Sequence, residues 1–123
     1  MVPDRPLYVF LTAYLEAISF TEEDTWTEEG VTPLIDEMAY QEALRTSFRF
    51  YRWFRKVWRQ GGWSDTAAAH DFWLTRNGAG VGFWSRDEGD DILYPAYGAL
   101  LSTACELFGT SDCTVDNNKL YLT

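Results

Sequence analysis

Leu7, Phe10, Leu11, Tyr14, Leu15 and Ile18 recur at spacings of three, one, three, one and three. That pattern predicts an amphipathic helix over 6–19. Asp4 is placed at its N-terminus, and Pro6 suits a first turn. Thr21–Gly30 is polar and acidic apart from Trp26, and reads as a loop. Thr32 as cap and Pro33 as first residue predict the start of a second helix, with Leu34, Ile35 and Met38 on its apolar side. This helix either runs unbroken to Arg59 or breaks near Thr46-Ser47. Gly61-Gly62 ends it in both cases.

The pattern then changes. Asp71–Arg76 is rich in β-formers, Asn77–Gly80 is turn chemistry, and Val81–Arg86 is again β-like. The spacing predicts a hairpin, because Asn-Gly supplies the positive φ of a tight turn. Asp87–Asp91 reads as an acidic loop ending in a cap. Tyr94, Tyr97, Leu100, Leu101, Ala104, Cys105 and Phe108 repeat at helical spacing, with Gly109 as stop signal. Cys113–Val115 and Leu120–Leu122 around Asp116-Asn-Asn118 predict a second hairpin. The order helix, helix, hairpin, helix, hairpin implies a single α+β domain over 1–123, with helices packed on one face of a small antiparallel sheet.

Composition narrows the function. The chain is 46% apolar and 17% aromatic, far from the disordered class. No run of about 18 apolar residues exists, so no transmembrane helix or membrane partner is expected. Leu7–Ile18 lacks the basic lead and small-residue cleavage site of a signal peptide, which argues for a cytoplasmic protein. Cys105 and Cys113 fit no zinc spacing and are expected to be reduced thiols. One histidine, His70, excludes a His-rich metal site. No metal and no cofactor are expected.

The net charge of -9 hides a strong asymmetry. Residues 1–44 carry ten acids and one base, whereas 45–63 carry six bases and no acid. Arg45, Arg49, Arg52, Lys56 and Arg59, spaced four, three, four and three, form one stripe on a helix. The stripe could contact phosphates while a flanking aromatic, Tyr51 or Trp58, stacks on a base. Equally, it could pair internally with the Glu22–Glu29 loop, Asp36, Glu37 and Glu42, or meet a protein partner. The predicted hairpin tip offers a second candidate, a binding loop of Arg76, Asn77, Gly78 and Gly80 that lets a phosphate approach. The same glycines would also serve a plain turn and bulge. His70-Asp71 suggests a catalytic or metal pair, but further histidines and a nucleophile elbow are missing, so no catalytic residue is assigned.

The segment His70–Arg86, HDFWLTRNGAGVGFWSR, resembles the signature of a family of small phage and prophage proteins, whose usual form is HDFWLTRNGHGAGFWDR. Fourteen of its seventeen positions match. Phe10–Ala17 is similar to the family's N-terminal F-x-x-A-Y-x-E-x-A, and Phe108-Gly109 and Lys119–Leu122 fit as well. Two departures from that pattern matter: Ala79 stands at the second histidine and Ser85 at the aspartate. The resemblance implies a phage or mobile-element origin and a life in the bacterial cytoplasm, and implies no activity. The expectation is a phage accessory protein that binds a bacterial macromolecule, most simply as inhibitor or modulator of a host protein. A nucleic-acid-binding protein using 45–59 is the alternative, and a small enzyme centred on His70 and Asp71 the third.

Overall fold

A computed structural model describes residues 4–21 and 32–122. The first helix, α1 (Arg5–Thr21), follows the predicted period. The Asp4 carboxylate accepts from the Leu7 amide at 3.0 Å and satisfies one of the free donors of its first turn. Phe10, Leu11, Tyr14 and Ile18 are buried along one stripe. Residues 22–31, most of the predicted acidic loop, lie outside the described residues.

The second helix does not start at Thr32-Pro33. Leu34–Ile35 is instead a short strand, β1. The Asp36 amide donates to the Leu120 carbonyl at 2.9 Å, which ties this strand into a sheet. Asp36 then caps α2 (Glu37–Gly61) by accepting from the amides of Met38 and Ala39. A sheet partner far along the chain outcompetes the local Thr-Pro signal. Beyond Asp36, α2 continues without a break to Gly61, where Gly62 turns left-handed.

The hairpin predicted over 71–86 is not present. Those residues begin inside α3 (Asp65–Arg76), which Ser64 caps at the Ala67 amide. Asn77-Gly78 is the stop of this helix. The Gly78 amide reaches the Thr75 carbonyl and the Ala79 amide reaches that of Leu74, a Schellman closure with Gly78 at φ 62°. An Asn-Gly pair supplies positive φ to a helix end as readily as to a tight turn. Burial of Phe72 and Trp73 in the core, with helix-favouring Ala67-Ala-Ala69 upstream, decides between the two. Val81–Arg86 forms a loop with one 3₁₀ turn, Phe83–Ser85, and a second such turn spans Glu88–Asp90. Helix α4 (Tyr97–Glu106) follows.

The second hairpin is present as predicted: β2 (Cys113–Asp116) and β3 (Lys119–Leu122) pair antiparallel, with Val115 opposite Leu120. Asn117 and Asn118, at φ 49° and 57°, supply the primed turn. β1 joins β3 in parallel, so the sheet is mixed rather than antiparallel, in the order β1-β3-β2. One face, with Leu120, Leu122 and Val115, packs on the core. Thr114, Asp116 and Lys119 face outward. Among the described residues the architecture is α+β: four helices against a small sheet.

Aromatic rings fill the centre. Phe50 of α2 and Phe72 of α3 stack at 3.9 Å between centroids and 5° between planes. Phe10 of α1 stacks on Trp58 at 5.2 Å. Phe83, from the loop after α3, closes the same cluster. Each such ring contributes about 1.5–3 kcal/mol by burial. Trp63 and Trp73 are core residues too.

Candidate functional site

The outer face of α2 carries the cations. Arg45 pairs with Glu42 at 2.8 Å on the exposed surface, where such a pair is worth less than about 1 kcal/mol. Arg59 is not a free member of the stripe. Its guanidinium grips both Asp65 oxygens, at 3.0 and 2.7 Å, and donates to the Tyr51 hydroxyl at 3.2 Å. The hydrogen bonds from Arg59, aided by that of Trp58, hold the Asp65 carboxyl below its usual range against the cost of burial. The same bond to Asp65 pushes Arg59 up.

Arg49, Arg52 and Lys56 are exposed and hold no carboxylate partner among the described residues. Internal pairing thus accounts for two of the five stripe residues, through Glu42 and through Asp65. Asp36 serves as a helix cap, Glu37 is exposed, and Glu22–Glu29 lies outside the described residues. A sixth cation, Arg55, donates to the Arg52 carbonyl and lies 5.1 Å above the Tyr51 ring.

The aromatic flank is corrected. Tyr51 and Trp58 are buried, because they sit on the core side of α2 and are held there by Arg59 and Asp65. Neither presents a face for a base. The exposed aromatic is Trp53, at 56%. Arg49 lies 6.0 Å from its centroid and 5.7 Å from that of Phe108, the residue that continues α4. The signal was in the spacing, since position 53 follows Arg49 by one turn on the outer side of the helix.

No family model matches the chain, and neither does any curated protein or solved structure. The geometry of the signature segment therefore stands on its own. Arg76 is a brace: its guanidinium donates to the carbonyls of Gly109 and Phe108, at 2.8 and 3.0 Å, and to the Tyr14 hydroxyl at 2.7 Å. It thereby closes the C-terminal end of α4 onto α1 and α3. Burial pushes the Tyr14 phenol up to about 12, with Arg76 pulling the other way. Asn77 donates to the Trp73 carbonyl and accepts from the Ser111 amide. Gly78 and Gly80 lie in an exposed loop with open space around them. No hairpin tip exists to bring these four residues to a ligand. Gly82, by contrast, is needed for close approach, because a Cβ there would collide with the Thr75 hydroxyl that holds the Phe83 amide.

His70 and Asp71 are not bonded as a pair. Asp71 is 1% exposed, and its oxygens take Arg86 at 2.6 and 3.0 Å and the Trp63 indole N–H at 2.9 Å. Its carboxylate is consumed by a buried ion pair. The pairing, chiefly the hydrogen bond to Asp71, raises Arg86. The His70 Nε2 is buried without a hydrogen-bond partner among the described residues, beside a small cleft of about 230 Å³ between Trp63, Arg86 and Asp90.

Among the described residues no cluster of three His, Cys, Asp or Glu side chains stands ready for a metal, and no helix is long and apolar enough to cross a membrane. Cys105 is a buried thiol. Burial pushes Cys105 up to about 12.

Proposed function

We propose that this chain works by binding, as a phage or mobile-element accessory protein that engages a protein of the bacterial cytoplasm and inhibits or modulates it. The observation that carries the reading is the free basic row on α2. Arg49, Arg52 and Lys56 project together, uncompensated by described carboxylates, beside an exposed tryptophan. Desolvating that many cations is unfavourable unless a partner supplies counter-charge, and exposed Trp and Arg are the residue types that dominate protein interfaces. The two other candidates are weaker as sites. Arg76, Asn77 and Asp71 spend their polar groups on the fold.

Tagged protein incubated with bacterial lysate, with and without nuclease, tests the reading against R49E/R52E/K56E. A specific protein retained after nuclease and lost with the triple variant is expected. Nucleic acid as the sole retained species, lost with the same variant, would replace it with the nucleic-acid reading. That second reading draws on Trp53, an exposed ring beside Arg49 that is placed to stack.

A further inference from the structure

The cations are half of a larger surface. α2 and α4 run antiparallel, because Phe108 lies under Arg49 and against Phe50, while Tyr97 lies against Gly61. Tyr97, Leu100 and Ala104 of α4 and Leu107, its C-cap in helical conformation, recur at three, four and three, one stripe whose first residue and whose neighbour Phe108 both reach α2. Leu100 and Leu107 are nevertheless 51% and 70% exposed. On α2, Arg49 and Trp53 follow at one-turn spacing along the edge that reaches Phe108. Helical spacing thus sets Trp53 on the α2 edge of the seam and Leu100 and Leu107 on its α4 edge, with Arg49, Arg52 and Lys56 along the outer side of α2.

We infer that this seam receives an acidic amphipathic segment of the partner protein. Its apolar residues would lie between Trp53 and the two leucines, and its carboxylates would meet the cations. The inference rests on the protein-binding reading above and adds the partner's chemistry. Charge complementarity selects this occupant: three cations with no carboxylate partner among the described residues stand in a row beside apolar side chains, on a molecule of net charge -9. Nucleic acid would satisfy the cations and leave both leucines in water. Apolar side chains beside a charged bank are the pattern that amphipathic helices read.

A displayed library of random peptides, selected on the full chain, tests it. Selected peptides are then titrated against wild type, R49E/K56E and L100S/L107S. All four positions are exposed, so the variants are expected to fold, and circular dichroism checks that they do. The expected peptides combine Asp or Glu with apolar residues at three- and four-residue spacing. Each double variant is expected to weaken them by about tenfold or more, and only R49E/K56E to flatten the salt dependence. Selection of no peptide, or of peptides insensitive to L100S/L107S, would overturn the inference. So would a single-stranded oligonucleotide that binds more tightly than the peptides and depends on Arg49 and Lys56 alone. Self-association in sedimentation that L100S/L107S abolishes would assign the seam to a second copy instead. Should no peptide be selected while the lysate protein is still retained through the basic row, the protein-binding reading stands and only the linear acidic segment fails.

Discussion

Arg76 and Asp71 show how single side chains hold this molecule together. Asp71 is a buried carboxylate whose charge is tolerated because Arg86 and Trp63 satisfy it. D71N should therefore leave Arg86 without its counter-charge and cost about 1–3 kcal/mol, since Arg86 is partly solvated, read as a lower urea midpoint. A stability near wild type would show the pair to be dispensable. Asp65 gives a pH signature. Its folded pKa is depressed, so its contribution is present above the unfolded carboxylate range and is lost as pH falls through the folded value. Hence D65N should be less stable than wild type at neutral pH, with a gap that closes on acidification. The gap will be modest, since Arg59 is largely solvated. At the alkaline end Tyr14 and Cys105 act in the opposite sense. Both are raised to about 12, so the stability they supply is intact below their ordinary values of 10.0 and 9.0 and is lost as pH climbs toward 12. Iodoacetamide at pH 9 should accordingly modify Cys105 far more slowly in the folded protein than in urea. Equal rates in the two conditions would contradict the burial of Cys105.

Helix ends carry much of the information at the scale of elements. G78A places a side chain in the left-handed conformation that closes α3 and should cost about 1 kcal/mol, seen in the thermal midpoint. Gly80 sits at positive φ in the same loop, but its conformation closes no helix end. The elements that were legible in the sequence are those with a long period and matching stops: α1, the body of α2, α4, and the Asn-turn hairpin. The α3 region was misread, because Phe72, Trp73 and Thr75 are β-formers, yet they lie on a helix stabilised by core packing against α1 and α2. Tertiary burial there outweighs local propensity. β1 was invisible for a related reason: two residues have no period, and their only cause is a strand some eighty-five positions away.

The whole molecule is a rigid aromatic core with an uneven electrostatic surface. The basic stripe was legible, since a charge pattern at helical spacing survives any error in the rest of the fold. Which cations remain free was not, because Asp65 meets Arg59 only once α3 folds back on α2. The position of Trp53 at a two-helix seam likewise needed α4 in place. If the row is free, R49E/R52E/K56E should shift the thermal midpoint by no more than a few degrees. A collapse of stability would mean that the row is paired within the chain.

The parallel pairing of Leu34–Ile35 with Lys119–Leu120 sets the timing of folding. On the ribosome, α1 and α2 are synthesised long before the residues that complete the sheet. The Asp36 amide, one residue before α2 begins, has only water to donate to until Leu120 has been made. Such a contact spans most of the chain, and closing so long a loop is slow. A nascent chain halted before residue 119 would therefore expose the start of α2 to proteases, and the emergence of Lys119 and Leu120 would be the event that seals it.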